Sequence, residues 1–142
     1  MTFEPFLEAL QARLVERVPC VDGRVYRSQH QGTQTMPALW LWVEGASGQG
    51  GEWTVTATVH AEVRTSDLRS GESADTRLCA VADEVTEALR RQTGEKPAPE
   101  PEATTLGGAC RYCLVRGQMV FDQGEAAGMG VVQIPVEALI TR

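Results

Sequence analysis

The feature that most constrains the fold is a strict alternation of apolar and polar residues from position 53 to position 64. The apolar positions are Trp53, Val55, Ala57, Val59, Ala61 and Val63, and the polar ones are Thr54, Thr56, Thr58, His60, Glu62 and Arg64. Because successive side chains of a strand point to opposite faces, the pattern predicts one strand with a buried face and a polar face. Trp, Val and Thr also suit a pleated, half-covered surface.

A second apolar run precedes this strand and completes a hairpin. Residues 38–43 read Ala-Leu-Trp-Leu-Trp-Val, and a glycine-rich turn follows at residues 45–51. The two runs predict a long β-hairpin at the centre of a sheet. If the faces are assigned correctly, Val59→Asp buries an unpaired charge and destabilises the protein strongly, whereas Thr56→Asp leaves the fold nearly intact.

Helical periodicity is predicted on both sides of the hairpin. The first helix covers residues 3–18. The second is capped by Ser70 or Ser73 and ends at Gly94 as its C-cap, with residues 90–91 in the last turn. Its apolar stripe consists of Leu78, Val81, Ala82, Val85 and Leu89.

Two further strands are predicted near the C-terminus. One covers residues 109–121 with a bulge at Gly117, and the other covers residues 131–141. Pro135 cannot donate to a ladder, which predicts an edge or a bulge in the last strand. The order helix, hairpin, helix, hairpin indicates an α+β domain, 1–142, with a mostly antiparallel or mixed sheet of about four to five strands and two main helices.

The segment 94–106 has a different composition from its surroundings. It contains three prolines and three glutamates and no apolar periodicity. Such a stretch is expected to bury too little surface to offset the entropy of ordering it. We therefore predict a mobile loop that orders only against a partner.

The charge balance argues against several functional classes. The formal net charge is −6, and no basic footprint for nucleic acid is present. No basic, apolar leader opens the chain and no apolar run is long enough to cross a bilayer, which indicates a cytosolic protein with four reduced cysteines and no membrane partner.

Cys110 and Cys113 form a C-x-x-C pair followed by a strand-like run. On a strand, residues three apart point to opposite faces, so the two sulfurs are predicted to diverge. We expect both to be apolar fillers, neither disulfide-bonded nor metal-bound. A structural metal site, which needs two further ligands, and a redox pair remain as alternatives.

The remaining candidates for chemistry are weaker. His30 and His60 stand apart from any nucleophile pattern and are expected to be exposed and non-catalytic. The glycines of residues 45–51 lack the Gly-Lys-Ser/Thr ending of a phosphate loop. The three tryptophans could stack a base or a sugar, but they suit a hairpin core better. We expect no enzymatic activity, catalytic residue, metal or cofactor.

The order of elements resembles a known family. An amphipathic helix leads to Asp-Gly-Arg at 22–24, an apolar strand starts at Pro-Ala 37–38 and stops at Glu-Gly 44–45, and the alternating strand and a helix follow. After a variable loop, the chain ends in a C-terminal hairpin. This frame resembles the tail terminator proteins of long-tailed bacteriophages, the lambda-like minor tail protein U group. The resemblance covers most of residues 3–140 except 94–106.

The resemblance implies a structural virion protein of the tail. Family members form a ring, expected to be a hexamer, on the last ring of the major tail tube protein. They stop tube polymerisation and present a surface to a head-completion or connector protein, while DNA passes through the lumen without specific binding. The implied location is the host cytoplasm during assembly and then the virion.

No family motif transfers to single residues, so contact residues are predicted from loops and charge. Loop 28–36 is expected on one side, and either the turn 45–51 or the turn 122–130 on the other. Acidic residues between 37 and 72 are candidates for lumen or inter-ring surfaces. The interface candidates are Gln29, His30, Gln31, Gln34, Glu44, Gln49, Glu52, Glu62, Asp67, Asp122 and Glu125.

Three rival functions remain open. The first is another head–tail connector or tail-completion subunit. The second is a cytosolic thiol or metal enzyme built on Cys110 and Cys113, which stoichiometric zinc or a thiol of depressed pKa would favour. The third is a ligand-binding α+β domain that uses its tryptophans.

Overall fold

A computed structural model describes residues 3–27, 36–68, 71–122 and 128–141. Within these ranges the chain forms two α-helices and a six-stranded mixed sheet, which confirms the α+β prediction. The elements are α1 (Phe3–Arg17), β1 (Val25–Arg27), β2 (Ala38–Gln49), β3 (Glu52–Arg64), α2 (Ala74–Ala88), β4 (Tyr112–Val115), β5 (Val120–Asp122) and β6 (Met129–Thr141).

The sheet is built around the predicted hairpin. Strands follow one another in the order β1-β2-β3-β6-β4, and β5 also pairs with β6. β1 is parallel to β2 and the other pairs are antiparallel. The β2–β3 register runs from Ala38 opposite Glu62 to Gln49 opposite Glu52, with a shift between Val43 and Gly45. The hairpin prediction is confirmed. Within the sheet, β3 and β6 form the longest pair of strands.

Both helices contribute to one core on a single face of the sheet. Phe6, Leu10 and Leu14 of α1 are fully buried, and so is the α2 stripe around Leu78. They join Val55, Ala57, Val59, Ala61 and Val63 of β3 and the alternate residues of β6 in one cluster. The predicted buried face of β3 is therefore confirmed. Each large apolar side chain buried in this core contributes about 1.5–3 kcal/mol to the free energy of unfolding.

The start of α2 matches the sequence prediction, but its end does not. Ser73 is the N-cap, since its hydroxyl accepts a hydrogen bond from the Thr76 amide at 3.1 Å. The helix ends at Ala88 with Leu89 as C-cap, so the prediction of a helix reaching Gly94 is wrong. Leu89 is buried, and the chain beyond it pairs with residues 102–104, which removes it from the helix axis.

The third predicted strand is split into β4 and β5 at the expected bulge. Val115 faces Val136 and Val120 faces Gln133. The chain therefore advances five residues from β4 to β5 while the facing residues of β6 are only three apart. Gly117 lies in this break at φ +121°, and a Cβ there would come within 3.0 Å of the Pro135 ring.

Pro135 explains the break, because it has no N–H for the neighbouring strand. The Pro135 carbonyl accepts a hydrogen bond from the Arg116 amide at 3.1 Å. Because the nitrogen and the carbonyl of one strand residue point to the same side, the Pro135 nitrogen also faces the break between β4 and β5. β6 is thus internal rather than an edge, and the irregularity lies in its partner strand.

Segment 94–106 is irregular, as predicted, but parts of it are packed. Ala103 and Thr104 are fully buried, and Thr104 exchanges two backbone hydrogen bonds with Cys113, at 2.8 and 3.2 Å. The expectation that this segment buries little surface is wrong for these two residues and for Ala98 and Leu106, which are also buried. Mobility stays a prediction, and the exposed residues 96–97 and 101–102 are where we now expect it.

Candidate interaction surfaces and the cysteine pair

The face of the sheet opposite the helices is only partly polar and open. Thr54 and Thr56 are exposed near the hairpin end. Further along β3, Thr58 and Glu62 are buried, because a second apolar cluster of Met36, Ala38 and Trp40 lies there, with Trp42 and Met129 packed against it. Two of the three tryptophans therefore cover the protein's own polar face.

His60 lies between these two tryptophans. Its ring centre is 5.9 Å from that of Trp40 and 5.8 Å from that of Trp42. Its Nε2 is 2.8 Å from the Glu62 carboxylate, and its side chain is 13% exposed. The prediction of an exposed histidine is wrong at this position, because the tryptophans of β2 lie directly opposite β3.

Several predicted contact residues already have partners within the subunit. The Glu44 carboxylate accepts hydrogen bonds from Trp42 Nε1 at 2.6 Å and from the Thr58 hydroxyl at 2.8 Å. Glu52 accepts from Arg111 at 2.6 Å. Glu62 is 6% exposed. Their interface roles stay predictions. A partner would have to compete for these carboxylates, or approach the exposed Glu44 and the partly exposed Glu52 from solvent.

The other predicted contact residues are either exposed or outside the described ranges. Gln49 is at the hairpin end, Asp67 in a short 3-10 helix after β3, and Asp122 at the end of β5, all exposed. Gln29, His30, Gln31, Gln34 and Glu125 lie outside the described residues.

An aromatic contact holds the exposed end of the hairpin. The ring of Trp53 lies over Gly48 on the facing strand, where a Cβ would come within 2.6 Å of it. The same ring meets Phe3 of α1 edge-on at 5.8 Å. The hairpin end is therefore held against α1 on one side, while β3 remains paired with β6 up to Glu52.

Exposed apolar side chains concentrate at the two edges of the sheet. Among the described residues the exposed large apolar side chains are Val15, Tyr26, Val120 and Phe121. Tyr26 is on β1, at one edge, and the last two are on β5, at the other. These residues were not among the predicted contacts, because no periodicity marks strands of three residues.

A partly buried carboxylate secures the segment after α2. Glu95 forms an ion pair with Arg13 of α1 at 3.1 Å and accepts hydrogen bonds from the Thr104 hydroxyl and from the Gln92 amide. Burial by itself would raise the pKa of Glu95, but these three donors outweigh it and lower the pKa below the usual 4.5.

We expect Glu95→Gln to lower the free energy of unfolding by about 1–3 kcal/mol at about pH 7, because charge-assisted hydrogen bonds are lost. A depressed pKa stabilises the fold above the ordinary value of 4.5, and this contribution is lost as the pH falls through the folded pKa. The difference between wild type and variant should therefore shrink in acid. Urea unfolding across this range measures it, with the exposed Glu102→Gln as matched control. A difference that is constant with pH contradicts the assignment.

The two cysteines of the C-x-x-C pair meet in space. Cys110 precedes β4, in the turn after a short 3-10 helix, and Cys113 is within β4. The alternation of a strand does not apply across this boundary, so the prediction of diverging sulfurs is wrong. The Cys110 thiol, through a hydrogen bond, and burial raise the pKa of Cys113 well above its usual range.

The described residues contain no metal-binding cluster of three or more His, Cys, Asp or Glu side chains. Neither described helix has the length and apolar character needed to cross a lipid bilayer.

Comparison with known proteins yields a structural likeness. No protein-family model matches the chain, and no curated protein matches it. The fold is similar to that of a solved chain from the virion of a native gene transfer agent particle. The alignment covers 96% of this chain and 97% of that chain, with a TM-score of 0.52 and 14% sequence identity. At this identity the likeness establishes the fold.

Proposed function

We propose that this protein is a structural component of a phage-like virion, a tail terminator that forms a ring on the tail tube. The observation that carries the proposal is the likeness over nearly the whole of both chains to a chain of a virion particle. The order of elements in the sequence resembles that of the tail terminator family, which supports the more specific role within the virion. In this proposal the protein is not an enzyme and needs no cofactor.

The exposed sheet edges support a ring. A closed ring of identical subunits needs two different, complementary patches on each subunit. Here one edge carries Tyr26 and the other Val120 and Phe121. We propose that the β5 edge of one copy covers the β1 edge of the next.

The contact is expected to be made by side chains rather than by one continuous sheet. Gln11 of α1 donates to the Val25 carbonyl at 2.7 Å, so an outward backbone group of β1 is already occupied. Tyr26 packs against Trp40 with 5.6 Å between ring centres and 39° between the ring planes, so the patch rests on a buried tryptophan.

The long strands separate two further surfaces. β3 has 13 residues, so its ends are about 40 Å apart. Gln49 and Glu52 lie at one end, and Asp67 lies just beyond the other. A terminator needs such opposite surfaces, one for the major tail tube protein and one for the head-completion or connector protein. We assign them to the hairpin end and to the opposite end of the sheet.

The net charge of −6 suits a ring through which DNA passes, because a basic lumen would retain the phosphates. Assembly in the host cytoplasm and incorporation into the virion tail follow from the same role.

Deletion of the gene from its phage tests the role. We expect over-long tails that fail to join heads, and recovery when the protein is supplied in trans. Tail length by negative-stain electron microscopy and infectious titre are the measurements. Tails of normal length without heads would instead identify another connector or tail-completion subunit. Normal tails with normal titre would refute a virion role.

A further inference from the structure

The cysteine pair is the strongest feature that the proposed function does not use. It lies where the segment after α2 returns to the sheet. Two consecutive residues, Thr104 and Thr105, position both cysteines: Cys113 exchanges two backbone hydrogen bonds with Thr104, and the Cys110 amide donates to the Thr105 carbonyl at 3.2 Å. The Cys110 thiol donates to the same carbonyl at 3.4 Å.

The local sequence explains why Cys110 folds back in this way. Leu106, Gly107 and Gly108 all have positive φ, at 51°, 70° and 96°. Glycine adopts this region without strain, and Leu106 is held there by its buried side chain and by its amide, which donates to the Thr104 hydroxyl at 3.0 Å. Three left-handed residues in a row form a tight loop that returns the chain to Thr105.

The two thiols differ in their access to solvent. Cys113 is fully buried, whereas Cys110 is 7% exposed and lines a groove of about 780 Å³. The groove is bordered by Pro97, Pro99 and Arg111. A small reagent can therefore approach Cys110 from the groove, whereas Cys113 has no exposed surface.

We propose that Cys110 and Cys113 are a modification site, a dithiol that closes into an intramolecular disulfide when the protein meets a small oxidised disulfide such as glutathione disulfide. A particle that leaves the reducing host cytoplasm enters conditions in which such a bond persists.

The exchange balances as two steps. The Cys110 thiol loses its proton to solvent and its sulfur attacks the glutathione disulfide, which forms a mixed disulfide and releases one glutathione. The Cys113 sulfur, after losing its proton, attacks the Cys110 sulfur and releases the second glutathione. The protein loses two electrons and two protons, and the disulfide reagent gains them. Cys110 makes the first attack because its residue borders the groove, whereas Cys113 is fully buried.

The other two cysteines provide internal controls. Cys79 is exposed on α2, so it reports that the reagent is active. Cys20 is half-buried, and burial together with the neighbouring Glu84 raises its pKa to about 12, so it should react slowly.

Trypsin mapping tests the bond, because Arg111 lies between the two cysteines. The native protein is treated with glutathione disulfide, alkylated after unfolding and digested without reduction. We expect peptide 92–111 linked to peptide 112–116, and separation of the two after reduction. Both peptides alkylated, while Cys79 carries glutathione, would overturn the proposal.

Two variants test the order of events. Cys113→Ser should stop at a glutathione mixed disulfide on Cys110, and Cys110→Ser should leave Cys113 unmodified and alkylatable. Cys79→Ser should still yield the linked peptides. Modification of Cys113 in the Cys110→Ser protein would refute the assigned order, and circular dichroism shows whether each variant is folded.

Discussion

Val59→Asp is expected to destabilise the protein by more than about 4 kcal/mol, enough to unfold much of a domain with ordinary marginal stability. Val59 is fully buried at the centre of β3, between the β2 and β6 strands and under the helices. A carboxylate at this position would be buried in the cluster of apolar side chains to which Val59 belongs, which is among the most costly single changes. Urea unfolding followed by circular dichroism measures the loss.

Thr56→Asp is the matched control, with the same new side chain on the same strand. Thr56 is exposed on the opposite face. It faces Glu137 on β6, so the new charge is expected to cost about 0.2–1 kcal/mol through like-charge repulsion. Equal losses in both variants would contradict the assignment of the two faces.

The double variant Val120→Asp/Phe121→Asp is expected to fold normally and to abolish assembly. These side chains are 57% and 40% exposed, so their replacement removes little buried surface from the subunit. In a ring they would be covered by the next copy, and two unpaired carboxylates there would be desolvated. The variant should therefore fail to cap tails, with over-long tubes and loss of titre as in the deletion.

Ala80→Asp provides the control for this experiment. Ala80 is exposed and also apolar, but it lies on α2, which packs against the central strands β3 and β6. It should cap tails as wild type does. If the β5 double variant caps tails normally, the edge-to-edge contact is wrong, while the deletion phenotype still decides the terminator role. Thermal unfolding of each purified protein separates a folding defect from an assembly defect.

Hydrophobic periodicity and helix-capping residues predicted much of the fold. The alternation from 53 to 64 was sufficient for the hairpin and for its buried face, because a strand's two faces are set by neighbouring positions in the chain. Ser73 and the stripe around Leu78 likewise placed the start of α2, since capping and helical periodicity are local. Gly94 was wrongly predicted to be the C-cap of α2. Its positive φ belongs to a separate turn, in which the Glu95 amide donates to the Gln92 carbonyl.

The candidate site was less accessible to sequence reasoning. Candidate contact residues at the sheet edges are Tyr26, Val120 and Phe121. They are candidates only because β1 and β5 lie at the two edges of the sheet, which no local pattern encodes. Tail-terminator function and the named loop contacts stay predictions until the deletion and edge variants are measured.

Sequence by itself determined the α+β class, the central hairpin and the helix-facing side of β3, because each depends on residues close together in the chain. Only the tertiary structure decided where α2 ends, that His60 lies between two tryptophans, and that Cys110 and Cys113 meet. The first two features depend on pairing between distant segments, such as Leu89 with Thr104 and Trp40 with His60, and there burial outweighed the local preference of the chain. The third depends on the tight loop at residues 106–108, which returns Cys110 to Thr105, beside the strand that holds Cys113.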